Sequence, residues 1–192
     1  MELDRAVRAI RAGELVVYPT ETVYGLGADA LDPAAVERVY EAKGRARSKP
    51  LSMAVPDVEA AARHTSLTDH ERAFMREFLP GPVTVVVAAG PEVPEALTAG
   101  RDRVGIRIPD QDLALSLLEE VAPITATSAN ASGQSSARRV ADLDAGVRRA
   151  AACVLDGGET GGTESTVVDV ERGRLHRRGA LAEEIEAWLE AQ

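Results

Sequence analysis

The sequence predicts an α/β domain built on a mixed sheet, and three observations carry that expectation. Short apolar, β-branched runs such as residues 15–18 and 83–88 alternate with segments of helical period. The order is not strictly strand–helix–strand. Strands over 165–170 and 174–177 follow one another around a turn at Arg172-Gly173, so parallel pairing cannot hold throughout. Finally, 192 residues of ordinary apolar content, with no repeat, linker or low-complexity tail, suit one compact unit over 1–192.

The elements follow in order. Leu3, Val7 and Ile10 recur at helical spacing, and Gly13 closes that helix. Residues 15–18 read as a buried strand stopped by Pro19. Asp32-Pro33 sets an N-cap before a first-turn proline, and the helix runs to about Lys43. A strand over 51–55 precedes a short Ala-rich helix opened by Asp57. Thr68 caps the next helix, with Asp69 and Glu71 where carboxylates favour the macrodipole, and Pro80-Gly81-Pro82 lies beyond its end. A strand at 83–88 is followed by a loop marked by Pro91 and Pro94. Residues 103–108 form a strand, and Asp110 caps a helix through Glu120. The strand at 123–127 runs into a loop of small polar residues. A helix is predicted near 138–143, a strand at 151–155 and a Gly-rich loop at 156–164. The late strands and a final helix over 181–189 complete the chain.

Composition narrows function. A formal net charge of -9 argues against a broad phosphate-backbone interface, which needs a basic face, but leaves room for a local cationic pocket. Aromatics at 3% leave few stacking platforms for single-stranded nucleic acid. Cys153 is the sole cysteine and sits in an apolar run, so a buried thiol in a reducing compartment is expected. No stretch reaches the length of a membrane span, and the N-terminus lacks a signal-peptide pattern, so a soluble cytoplasmic protein is expected. His64, His70 and His176 are scattered without metal-ligand spacing; the first two read as surface residues on or beside helices. Neither a P-loop, a dinucleotide-binding glycine motif nor a serine-hydrolase elbow occurs.

Five segments have residue types suited to chemistry. The chain has only two lysines, Lys43 and Lys49, among 22 basic residues. They flank Arg45 and Arg47 in one segment, where point charges and planar forks together can grip a polyphosphate. A solvated basic loop accounts for the same run. Residues 18–27 follow a strand directly and offer hydroxyls, a carboxylate and glycines, as a ligand loop or an ordinary turn would. Arg107 lies between two isoleucines in a strand, so period-two alternation sends it to the opposite face, toward a site or toward solvent. Residues 127–133 and 161–169 combine small hydroxyls with amides or glycines, able to bind an anion or to close hydrogen-bonded turns.

Taken together, the segments resemble the YrdC/TsaC family of L-threonylcarbamoyladenylate synthases. Tyr18-Pro19-Thr20-Glu21-Thr22-Val23-Tyr24-Gly25-Leu26-Gly27 is similar to the family's opening signature. Lys43-Gly44-Arg45 with Lys49-Pro50-Leu51, the Pro80-Gly81-Pro82-Val83-Thr84 turn, and Arg107 in its strand follow in order. So do Thr127-Ser128-Ala129-Asn130-Ala131-Ser132-Gly133 and Ser165-Thr166-Val167-Val168-Asp169.

The resemblance implies a twisted open mixed sheet with flanking helices around a cationic cavity. It implies synthesis of threonylcarbamoyl-AMP and pyrophosphate from L-threonine, bicarbonate and ATP, with Mg²⁺ accompanying the nucleotide. The product would pass to a tRNA threonylcarbamoyl-transferase complex for t6A modification. By the same resemblance Lys43 and Arg45 are catalytic, and with Lys49 they hold the ATP phosphates. Ser128, Asn130 and Arg177 belong to the ATP site, and Thr22, Arg107 and Ser165 to the threonine site. No metal ligand and no further C-terminal domain are expected. The chain departs from the pattern at Leu79, usually Trp, at Ala54, where some members carry His, and at Arg178, where many carry Pro. The alternative is a non-catalytic RNA-binding module using the same cations, which the acidic charge and scarce aromatics disfavour.

Overall fold

A computed structural model of the chain describes residues 2–191. The first half runs α1 (Glu2–Arg11), β1 (Leu15–Tyr18), β2 (Gly25–Gly27), α2 (Pro33–Lys43), β3 (Ser52–Ala54), α3 (Val58–His64) and β4 (Thr65–Ser66). Next come α4 (Asp69–Phe78), β5 (Val83–Ala89), α5 (Glu95–Thr98), β6 (Arg103–Arg107), α6 (Asp112–Val121) and β7 (Ile124–Ser128). The last part holds α7 (Ala145–Ala150), β8 (Ala151–Val154), β9 (Thr166–Asp169), β10 (Arg174–Arg177) and α8 (Ala182–Glu190).

The strands form one open sheet in the order β10-β9-β5-β6-β3-β7-β2-β1-β8, with β4 paired to the far end of β5. It is mixed: β1 with β8, β3 with β6 and β5 with β9 are parallel, and the other pairs antiparallel. The expected architecture of an open mixed sheet with flanking helices is what the chain adopts.

Local chemistry explains most boundaries. Asp32 caps α2 by accepting from the Ala34 N–H, and Gly44 ends it at φ 56°, a left-handed conformation that glycine takes without a Cβ penalty. Thr68 and Glu71 form a reciprocal capping box on α4. Three expectations need correction. Gln111 rather than Asp110 caps α6, its side chain accepting from the Ala114 N–H. The helix expected near 138–143 is only a 3₁₀ turn, Val140–Asp142, and the α-helix begins after Asp144, whose carboxylate accepts from Gly146 and Val147. Residues 25–27 form a strand that periodicity cannot reveal, because two of its three residues are glycine. They must be: a Cβ on Gly25 or Gly27 would sit 2.9 Å from Tyr18 or Ile124.

The sheet separates two apolar layers. Leu15 and Val17 face the larger one with α2, α4 and α8, while Val16 and Tyr18 face a smaller one beneath α1 and α6. Cys153 is buried in the smaller layer, and that burial raises its thiol pKa. Leu79 fills core space in the larger layer and Ala54 in the smaller. No helix among the described residues is long and apolar enough to cross a membrane. Because α1 and α6 cover only part of their face, the surface of β3, β6, β5 and β9 beyond Ala54 is left open, and the site lies there.

Candidate active site

The floor of this hollow is set by alternation along β6. Arg103, Gly105 and Arg107 project to the same face, opposite the buried Val104 and Ile106. Gly105 keeps the floor low, since a Cβ there would collide with Ser52 Oγ and lie 2.9 Å from Thr84 Cγ2. The resulting cavity measures about 480 Å³, within the usual range for small-molecule sites. Six arginines line it (Arg45, Arg101, Arg103, Arg107, Arg172 and Arg177), against the carboxylates of Asp102, Glu164 and Asp169. Four of the six are ion-paired: Arg103 and Arg172 with Asp169, Arg107 with Glu21 and Arg177 with Glu164.

Arg107 is only 6% exposed, which decides between site and solvent. It donates to Glu21 Oε1 at 2.6 Å, to Thr22 Oγ1 at 3.4 Å and to the Val83 carbonyl at 3.2 Å. Burial lowers its pKa, and the Glu21 carboxylate opposes that shift. Thr22 lies 2.9 Å from the Thr20 hydroxyl, inside a turn that Gly161 and Gly162 strap by donating to the Glu21 and Thr22 carbonyls.

Arg45 reaches the opposite wall because Gly44 turns the chain at the end of α2. Its guanidinium donates to the Lys49 and Pro50 carbonyls at 3.1 and 2.9 Å, which fixes the fork. Burial lowers its pKa; Tyr40 opposes the shift and Arg177 adds to it. Arg177 grips Ser165 through the carbonyl at 2.9 Å and the hydroxyl at 2.8 Å, and Thr84 Oγ1 lies 3.3 Å from the same hydroxyl. Its neighbour Arg178 pairs instead with Glu186 on α8 and does not line the cavity.

Of the residues singled out in the sequence, Thr22, Arg45, Arg107, Ser128, Ser165 and Arg177 share this cavity. Lys43, Lys49 and Asn130 do not line it. Lys49 is exposed. Lys43 is only 3% exposed, and its ammonium donates to the carbonyls of Ser128 and Asn130. Burial, then Arg45, lower its pKa to about 8. Asn130 spends its amide donors on the Ala131 and Gln134 carbonyls at 2.9 and 2.8 Å.

Sequence reasoning gave no role to Glu21, Thr84 or Arg103. Glu21 and Thr84 stood inside quoted motifs without a partner to suggest one. Arg103 was recoverable from spacing, four residues from Arg107 on one face of one strand. It donates to Glu71 at 3.3 Å, Asp169 at 3.0 Å and the Val86 carbonyl at 2.7 Å, so its charge is balanced where it lines the wall. His64 is half-buried against Glu92, His70 stacks on Trp188 with centroids 5.0 Å apart, and His176 lines the cavity.

The molecule is thus an α/β domain whose open mixed sheet carries an arginine-lined cavity between distant loops. Comparison with known sequences makes this specific. The Sua5/YciO/YrdC family, described as "Telomere recombination", matches residues 8–179, and the chain belongs to it. The threonylcarbamoyl-AMP synthase of Pyrococcus abyssi is 43% identical over 92% of this chain and 54% of its own length. That of Bacillus subtilis is 39% identical over 98% of this chain and 56% of its own length. The structure of P. abyssi Sua5 complexed with L-threonine superposes with a TM-score of 0.89 at 40% identity, covering 96% of this chain and 56% of that one. The chain therefore spans little more than half the length of these relatives.

Proposed function

We propose that this chain is an L-threonylcarbamoyladenylate synthase, joining L-threonine, bicarbonate and ATP into threonylcarbamoyl-AMP with release of pyrophosphate. The carrying observation is the convergence of Arg45, Arg107 and Arg177, from three distant segments, on one cavity. The names and the threonine complex of the relatives support the same reading.

In this reading Arg107 receives the threonine carboxylate beside Thr22. The Ser165 hydroxyl, oriented by Arg177 and Thr84, faces the amino acid. The amine combines with bicarbonate, losing water, to give a carbamate. One carbamate oxygen then attacks the α-phosphorus of ATP, and the bond to pyrophosphate breaks. No covalent protein intermediate is needed: the work is positioning and charge stabilisation. Arg45 and Arg177 hold the phosphates and take up the charge that develops on the departing pyrophosphate. Lys49, exposed on the Arg45 segment, adds charge to the approach. The Ser128 hydroxyl lines the nucleotide side.

Among the described residues no three His, Cys, Asp or Glu side chains converge as metal ligands. Mg²⁺ would enter as the counter-ion of the triphosphate, carried in by the nucleotide. The product would pass in the cytoplasm to a tRNA threonylcarbamoyl-transferase complex.

The test is pyrophosphate release from ATP, with the nucleotide product identified by mass spectrometry. Release that requires both threonine and bicarbonate supports the assignment. Release indifferent to bicarbonate points to plain acid adenylation, and ATP binding without cleavage points to a regulatory domain.

A further inference from the structure

The sheet ends on β8, outside the cavity lining, and among the described residues β1 is its strand partner. That pairing is parallel, and the Leu155 N–H donates to the Val17 carbonyl at 2.8 Å. Main-chain groups alternate sides along a strand, so Cys153 and Leu155 bond inward, while Ala152 and Val154 turn their N–H and C=O groups outward. The outward direction is visible at Ala152, whose carbonyl accepts from Arg5 Nη2 at 2.7 Å. A carbonyl has two lone pairs, so this contact leaves room for a second donor.

Exposed edges are commonly blocked by lysine, proline or an inward charge. β8 reads Ala-Ala-Cys-Val and carries none of these. A groove of about 370 Å³ runs beside it, lined in part by alanines 150–152 and by two bases, Arg38 and Arg149, and two acids, Glu14 and Glu41. Charge is also placed unevenly along the strand. Arg148 and Arg149 stand just before it and Asp156 just after it, all exposed.

We propose that β8 docks a second copy of this chain, the two β8 strands pairing antiparallel about a two-fold axis at Cys153. In that register Ala152 of each copy faces Val154 of the other, and their outward groups exchange hydrogen bonds. Antiparallel pairing also brings Arg148 and Arg149 of one copy to the Asp156 end of the other. A chain of net charge -9 repels its copies over most of its surface, but here the groove holds bases and acids in equal number. One sheet would run through both copies, with the cavities away from the joint. The pairing is independent of what the cavity binds.

Sedimentation velocity from about 1 to 200 µM should show a monomer passing to a dimer, as expected of a small interface. Over the same range the Ala152 and Val154 amides should pass from fast to slow exchange, while that of Leu155 stays protected by β1 throughout. A chain that remains monomeric overturns the proposal, and so does a dimer whose Ala152 and Val154 amides stay open. Ala152→Pro deletes an outward N–H, spares the β1 ladder and should keep the chain monomeric. Arg149→Glu should weaken the dimer about tenfold. A dimer that survives both substitutions unweakened joins through another face and refutes the idea. If Ala152→Pro does not fold, Arg149→Glu and the wild-type amides decide.

Discussion

Arg107 and Glu21 form the tightest polar unit of the site, and their burial makes it asymmetric. Removing one partner leaves the other charged and poorly solvated, which commonly costs about 3 kcal/mol. Arg107→Ala should therefore lower stability by roughly that amount, whereas Arg107→Met with Glu21→Gln together should cost clearly less. Urea denaturation of both variants checks this. In binding, Arg107→Ala should weaken threonine while leaving ATP affinity near that of the wild type, as paired titrations would read. Lys43 adds a pH dependence. Its folded pKa of about 8 lies below the ordinary 10.5, so the cost of burying its charge is fully present below pH 8 and is relieved as pH rises toward 10.5. The stability gap between wild type and Lys43→Met should thus shift in favour of the wild type by about 1 kcal/mol from pH 7 to pH 9. Thermal or urea melts across that range would show it.

Among the elements, β6 decides the shape of the hollow and α4 shows how much of the scaffold is local. Gly105→Ala should raise the floor against Ser52 and Thr84. We expect a stability loss of about 1–3 kcal/mol with ligand affinity lost alongside it. Gly105→Ala combined with Ser52→Gly should recover part of both, as melts and calorimetry would show. Thr68→Ala breaks the capping box of α4 and should cost about 1 kcal/mol without touching ligand binding. Such signals were readable in advance. Asp32, Asp57 and Thr68 announced their helices because a cap acts within one turn. Residues 25–27 were not readable as a strand, since their pairing is imposed by β1 and β7 and their glycines by the Tyr18 ring. Nor was the short α5 in a loop that opens on Pro94. The Asp110 cap failed by one residue, because an adjacent Gln111 side chain met the same N–H donors.

Across the whole molecule, the site is an assembly of distant segments. Motif order located Thr22, Arg45, Arg107, Ser128, Ser165 and Arg177, all of which meet in one cavity. It could not say which cations face inward, because that depends on a turn at Gly44 and on carbonyls 85 and 87 residues away from Lys43. The pair Arg177 and Arg178 makes the same point: adjacent in sequence, one reaches Ser165 and the other α8. Arg177→Ala should cut pyrophosphate release by about 10²-fold, the scale for losing a charge stabiliser, and Arg178→Ala should leave it close to wild type. Equal losses from both would reverse the assignment.

Cys153 has a practical consequence for such experiments. The single native thiol sits behind α1 with its ionisation suppressed by burial, so maleimide dyes should react with it slowly. A cysteine introduced at the exposed Arg174, on the edge strand beside the cavity, would take nearly all of the label. A fluorophore there could report the arrival and departure of substrates in real time without first stripping the chain of competing sulfur.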